Sequence, residues 1–342
     1  MVRQYLSKLL QQHPNPYEDP SEPLLKTVKP PRLEPGQTIG IASPSGYADP
    51  FSLKAGMDFL TEKGYRVQLG RSTRRVAKTQ FYAGPDKDRA EELNSMFQAP
   101  EVDAIFCAVG GYGTGKILPL IDYDLIRDSP KILIGYSDIT FLHIAIFNKT
   151  GLVTFHGPSA SHLDRSLPGD ELKTKRDNLE RALNLLSGES GRDLTNPPAG
   201  MLLRTIHDGK TQGRLIGGNL ETLEETLATP FEADLDDSLF FFEDVYASEE
   251  MVDRALTHLA SAGKLGRVAG VIVGEFSEVP KPTQPTPSME EILRERIAPL
   301  KKPSIMGLQC GHGRIHVTIP VGVEARLDAD EPSIHMLETP VD

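Results

Sequence analysis

KILIGYSDITFLHIAIFNKTG, residues 131–151, opens as a short apolar run, turns at Gly135-Tyr136-Ser137-Asp138, and continues with Ile139, Leu142, His143 and Ile146 on one helical face. A strand that feeds directly into an amphipathic helix is half of a βαβ unit. The same alternation precedes it. QTIGIAS (37–43), YRVQLG (65–70) and AIFCAV (104–109) read as strands, and FSLKAGMDFLTEKG (51–64) and DKDRAEELNSMFQA (86–99) as helices. LVTFHGP (152–158) follows as one more strand. The pattern predicts an α/β fold whose N-terminal domain, residues 32–165, is built on a parallel sheet.

Outward from that domain the chain changes character. Residues 1–31 carry HPNPYEDPSEP and KPP, which break regular structure and offer little apolar surface, so they read as an extension packed along the body or left loose. Residues 166–199 read as a connector holding a helix-like stretch, LKTKRDNLERALNLLSG, and a polar run ending in DLTNPPAG. A second α/β unit over 200–342 has GRLIGG, SLFFFE and VAGVIVGEF as strands, NLETLEETLA and EEMVDRALTHLASAG as helices, and short strands from VTIPVG onward. The Pro-rich loop SEVPKPTQPTP lies inside it.

Bulk chemistry narrows the function classes. The 342 residues hold 37 Lys and Arg against 48 Asp and Glu, a net charge of −11, which gives no general attraction for nucleic-acid backbones or anionic lipid. No stretch approaches the roughly 18 apolar residues of a spanning helix, and the N-terminus lacks an apolar signal core, so a cytoplasmic setting is expected. Cys107 and Cys310 are expected to be reduced and buried.

Open α/β sheets bind ligands at the carboxyl ends of their strands, so the residues there are the candidates. Ser137 sits in a strand-to-helix turn, the setting of a nucleophile elbow, although Ile139 stands where G-x-S-x-G has its second glycine. Helix capping by Ser137 or Asp138 is the competing role. Gly110, Gly111, Gly113 and Gly115 can bring bare N–H groups to an oxyanion or carboxylate. The same run nearly spells a P-loop through Lys116, with Ile117 in place of the Ser or Thr that holds Mg²⁺. Glu243 ends an apolar strand and can orient a histidine. His312, between Gly311 and Gly313, sits in a loop suited to a base. His143 shares an apolar helix face and reads as a core residue, and His156, at a strand end, can line the pocket. His312 and His316 have i, i+4 spacing, but the intervening glycine and the following VTIP oppose a metal-binding helix, so no metal or cofactor is expected.

With these residues in view, the chain resembles the LD-carboxypeptidase family of serine peptidases, which includes muramoyltetrapeptide carboxypeptidases and microcin C7 immunity proteins. The resemblance runs from about Gln37 to the C-terminus on IGIASPSG, VGGYGTGKILPLIDYDLI, IGYSDITFLHIAI with TFHGP, GRLIGGNLETL, FFFEDV with VDRAL, and GHGRIHVTIPVG. It implies Ser137 as nucleophile, His312 as base and Glu243 as its acidic partner, divided between two domains of a homodimer. It further implies hydrolysis of the L,D-amide bond of murein tetrapeptides, with release of the terminal D-amino acid. An aminoacyl-nucleotide amide hydrolase of the microcin type is the alternative, and a P-loop-like nucleotide binder a third reading. Gly111 and Asp138 are the expected oxyanion donors. Tyr112, Ser45 and Asn219 are candidate substrate contacts, with Arg254 in a shared block. Val109 stands where many tetrapeptide carboxypeptidases carry Arg, the segment after Asp244 lacks their usual PYR, and the chain has no Trp.

Overall fold

A computed structural model describes residues 26–73, 81–195 and 201–342. Residues 1–25 of the N-terminal extension and 196–200 of the polar run lie outside the described residues. The first unit runs β1 (Thr38–Ala42), α1 (Pro50–Glu62), β2 (Arg66–Leu69), α2 (Asp86–Gln98), β3 (Ala104–Cys107), α3 (Tyr123–Asp128), β4 (Ile132–Gly135), α4 (Thr140–Thr150) and β5 (Thr154–His156). Every residue of β1, β3, β4 and β5 is buried, as expected of parallel strands covered on both faces. Helix α1 starts where Asp49 accepts from the Ser52 N–H, with Pro50 in the first turn. Helix α4 ends at Gly151, whose φ of 72° closes the last turn.

Helix α5 (Gly169–Leu186) fills most of the expected connector and buries Leu179, Leu183, Leu185 and Leu186, so this segment is part of the body rather than a loose link. The second unit follows: β6 (Arg204–His207), β7 (Lys210–Asn219), α6 (Leu220–Glu224), β8 (Leu239–Val245), α7 (Glu249–Ser261), β9 (Gly270–Ser277), α8 (Met289–Ile297), β10 (Ser304–Met306), β11 (Ile319–Val321), β12 (Glu324–Asp328) and β13 (Ser333–Met336). The helix expected over 219–228 stops at Glu224. There the Thr226 hydroxyl donates to the Leu223 carbonyl, the Thr229 hydroxyl donates to the Thr226 carbonyl, and Ala228 takes φ 60°, all of which compete with helical continuation.

Two sheets organise these elements. The first has the order β11-β5-β4-β3-β1-β2, parallel from β5 to β2, with β11 antiparallel to β5. The expected boundary at residue 200 is therefore crossed: Ile319–Val321, far along the second unit, adds a strand to the first sheet. The order reverses between β1 and β3, which puts the topological switch point at the carboxyl ends of those strands. The second sheet, β13-β12-β7-β8-β9-β10-β6, has a parallel centre, β7 to β10, with the fully buried Phe240, Phe241 and Phe242 in its middle strand.

Helix α4 joins the units. It packs on the first sheet and also against β7 and α6, which explains why Thr140, Leu142, His143, Ile144, Ala145 and Ile146 are all buried around its circumference. The Asn219 N–H donates to Thr140 Oγ1 across this seam at 3.0 Å. Near the N-terminus the described end of the extension is packed: Val28 bridges Leu152, and Pro30 accepts from the Asp342 N–H. Among the described residues no helix is long and apolar enough to cross a membrane.

Candidate active site

Ser137 follows β4 and opens a short 3₁₀ turn that leads into α4. Its φ is +66°, a region costing a side-chain-bearing residue about 1–2 kcal/mol, and such strain persists where surrounding contacts fix the backbone. One of those contacts is Gly110. A Cβ there would sit 2.7 Å from Ser137 Cβ and 3.1 Å from its Oγ, so only glycine lets the β3 loop lie against the serine. Beside it Gly111 has φ +114°, and its N–H is taken up by no carbonyl or side chain among the described residues.

Asp138 ties three strand ends together. Its buried Oδ2 accepts from Ser45 Oγ after β1 at 2.5 Å and from the Thr114 N–H after β3 at 2.9 Å. Ser45 is fully buried and its hydroxyl is engaged by Asp138, so its observed contact is with the protein rather than an open pocket. Arg89, fully buried on α2, holds the same loops from below by donating to the carbonyls of Pro44, Gly84 and Gly113. Beyond an i, i+3 pair with Asp86, the partners of Arg89 are backbone carbonyls of loops that only the fold brings together, so the sequence does not mark it. Tyr112 projects from the glycine turn, 58% exposed, with its ring 6.5 Å from that of Tyr82.

Glu243 stands near the end of β8, fully buried. Phe242 pairs with Val273 and Asp244 with Phe276, so β9 carries one extra residue and sets Gly274 and Glu275 opposite Glu243. Bulges of this kind recur beside functional groups, where they re-aim a side chain. A Cβ on Gly274 would lie 2.9 Å from Glu243 Cβ, so the bulge glycine makes room for the carboxylate. Glu243 Oε2 accepts from His312 Nδ1 at 2.8 Å. The two glycines flanking His312 have distinct neighbours: a Cβ on Gly311 would sit 1.9 Å from Glu243 Oε2, and one on Gly313 1.8 Å from Glu275 Oε2. Burial, reinforced by Glu243, raises the proton affinity of Glu275.

The His312 side chain keeps 16% of its surface exposed, enough for its far edge to meet a ligand. Its ring lies 4.9 Å from that of Tyr136, the residue before Ser137, which brings the serine turn and the Glu243–His312 pair to one seam. Among the described residues no hydrogen bond joins Ser137 to His312, and such bonds commonly tighten only with substrate in place. Tyr136 is driven up to about 12 by burial and by Glu243, so its hydroxyl stays protonated. Around this seam, His143 has both ring nitrogens engaged, by Gly135 O and Thr154 Oγ1, as a core histidine should. His156 and His316 are fully buried, with no hydrogen-bond partner at either nitrogen among the described residues.

Asn219 is occupied by the fold. Its amide nitrogen donates to Asp244 and its oxygen caps α6 by accepting from the Thr222 N–H and hydroxyl. Arg254 is on the exposed face of α7, paired with Glu250. The near P-loop does not lead into a helix: the glycine run ends in a 3₁₀ turn at Leu118–Leu120, and Lys116 is held by Asp86 at 3.1 Å and by the Tyr82 ring. Among the described residues no three His, Cys, Asp or Glu side chains are grouped to hold a metal ion, and both cysteines are buried and unpaired.

A serine on a strand-to-helix elbow, open backbone N–H groups beside it, and a histidine oriented by a buried carboxylate are the parts that acyl transfer requires. Comparison with known proteins points the same way. Residues 39–157 match the LD-carboxypeptidase N-terminal domain and residues 212–327 the LD-carboxypeptidase C-terminal domain. A probable murein peptide carboxypeptidase of Bacillus subtilis is 38% identical over 89% of this chain and 92% of its own. The structure of MccF in complex with glutamyl sulfamoyl guanosine superposes with a TM-score of 0.81 at 28% identity, covering 94% of this chain and all of that one. Muramoyltetrapeptide carboxypeptidase from Oxalobacter formigenes gives 0.73 at 25% identity, over 87% of this chain and 97% of its own. Two family domains in order, and a relative this similar along nearly its whole length, place the chain in the LD-carboxypeptidase family, as a serine-type carboxypeptidase.

Proposed function

We propose that the protein removes the C-terminal D-amino acid from murein tetrapeptides by cutting the L,D-amide bond, with Ser137 as nucleophile, His312 as base and Glu243 as its orienting acid. The observation that supports this reading is the 2.8 Å contact between His312 Nδ1 and a fully buried carboxylate, with the His312 ring 4.9 Å from that of Tyr136, which precedes a serine held at φ +66°. With Nδ1–H donated to Glu243, His312 Nε2 is left to take the Ser137 proton as Oγ attacks the carbonyl of the L-residue. The N–H groups of Gly111 and Asp138 are the donors proposed for the oxyanion. Collapse of the tetrahedral adduct breaks the amide bond as His312 returns its proton to the leaving amine. Water, deprotonated by the same imidazole, then releases the acyl group from Ser137.

The murein substrate is favoured by the similarity to the Bacillus subtilis protein, a probable murein peptide carboxypeptidase. A second reading is favoured by the fit to MccF, seen with a glutamyl sulfamoyl nucleotide: the same machinery can hydrolyse the amide of an aminoacyl nucleotide. A homodimer working in the cytoplasm completes the proposal, on the family resemblance. Measuring kcat/KM for a muramoyl tetrapeptide and for an aminoacyl sulfamoyl adenosine tests the choice. The murein reading expects at least about tenfold preference for the peptide, a transition-state difference of about 1.4 kcal/mol; the reverse ratio supports the nucleotide reading.

A further inference from the structure

His156 closes β5, is fully buried, and among the described residues has no hydrogen-bond partner at Nδ1 or Nε2. Its Nε2 lies 3.7 Å from Glu243 Oε1, the carboxylate oxygen that His312 leaves free, and that oxygen too has no hydrogen-bond partner among the described residues. Buried polar atoms are nearly always hydrogen-bonded, and here two orphans of opposite kind face each other. A contraction of less than about 1 Å would bring them to hydrogen-bond length. The ring has Phe241 at 5.6 Å, His316 at 5.8 Å, His143 at 6.2 Å and Tyr136 at 6.4 Å around it.

We propose that His156 is a positioning residue for the reaction above: as the neutral Nε2–H tautomer it donates to Glu243 Oε1, which keeps Oε2 on His312 Nδ1. The proposal rests on the Ser137, His312 and Glu243 reading. The titratable groups facing the ring are Glu243 on β8, His143 on α4, Tyr136 after β4, and His312 and His316 from the loop before β11. Burial holds His143 at about 4 and pulls His156 and His316 well below the usual histidine range, so near pH 7 a neutral donor meets the carboxylate. Because β5 belongs to the first sheet and β8 to the second, the bond also pins the acid–base pair to the sheet that carries the serine.

The test compares His156→Leu, which removes the donor, with His156→Gln, whose amide N–H can replace that of Nε2. With a murein tetrapeptide, His156→Leu is expected to lower kcat about 10- to 100-fold at unchanged KM. The acid limb of its kcat–pH profile is expected to move, because the carboxylate that orients His312 has lost a donor. His156→Gln should recover most of both effects. Full activity of His156→Leu, or equal losses in both variants with an unmoved acid limb, would overturn the proposal. Should His156→Leu fail to fold, ¹H–¹⁵N correlation of the wild-type ring decides: Nε2–H is expected, and Nδ1–H refutes. Ser137→Ala and Glu243→Ala run alongside, since activity surviving in them would sink the triad reading rather than the role of His156.

Discussion

Gly311→Ala is the substitution whose effect follows most directly from the geometry. The new Cβ would lie 1.9 Å from Glu243 Oε2 and 2.2 Å from its Cδ, on a residue with φ +87°. Neither side can yield cheaply: Glu243 is fully buried, with Gly274 of the bulge behind its Cβ. The backbone contributes a loss of about 1–2 kcal/mol for a left-handed alanine. Forcing the carboxylate off His312 breaks the charge-assisted hydrogen bond of a fully buried carboxylate, worth roughly 1.5–3 kcal/mol. Gly263→Ala supplies the control, because Gly263 has φ +76° with none of the described residues within 4 Å of its would-be Cβ. Urea unfolding should show Gly263→Ala destabilised by about 1–2 kcal/mol and Gly311→Ala by roughly 1.5–3 kcal/mol more. In turnover of a murein tetrapeptide, the control should keep wild-type kcat while Gly311→Ala loses about 10³- to 10⁴-fold, the scale seen when a triad loses its acid. Gly311→Ala matching the control in both assays would refute the reasoning.

Further outcomes test other parts of the structure. Ser137→Gly and Ser137→Ala should both be inactive, but glycine relieves the φ of +66°, so it should unfold about 0.5–1 kcal/mol later than alanine; alanine being the more stable would contradict the strain argument. His143 is held at about 4 by burial against 6.5 when free, so the unfolded chain takes its proton first and stability present above pH 6.5 drains away as pH falls toward 4. Denaturant unfolding at pH 7 and 5.5 should therefore show His143→Gln losing about 1.4 kcal/mol per pH unit less than wild type below pH 6.5, and an unchanged slope would count against it. Thr140→Val orphans the buried Asn219 N–H at the seam and should cost about 1–3 kcal/mol in thermal or urea unfolding, with Thr140→Ser close to wild type; an equal loss in both would argue that the methyl matters and the bond does not.

The alternation of buried strands and amphipathic helices was legible because β1, β3, β4 and β5 are covered on both faces and read as continuous apolar runs. What eluded the sequence was mostly short or non-local. Strand β11 is three residues long, and nothing in IPV says that it returns to the first sheet. Helix α8 has a usable sequence signal, since Ser288 and Glu291 form a capping box before ILRERI. In the site, the strand-end rule singled out Ser137, Glu243 and His312; the structure brings the last two into contact, and the His312 ring lies 4.9 Å from that of Tyr136, the residue before Ser137. Ser45 and Asn219 were the right types for polar work, yet their partners, Asp138 and Asp244, become visible only in three dimensions. The two glycines around His312 read as loop residues; their tighter reason, the carboxylates of Glu243 and Glu275 against them, needed the fold.

The central claim, serine-dependent release of a terminal D-residue, is tested most directly by incubating wild type and Ser137→Ala with a muramoyl L,D-tetrapeptide in EDTA and following the freed D-amino acid by mass spectrometry. The account predicts release by wild type and a loss on the order of 10⁶-fold in the variant. Equal release by both would contradict it.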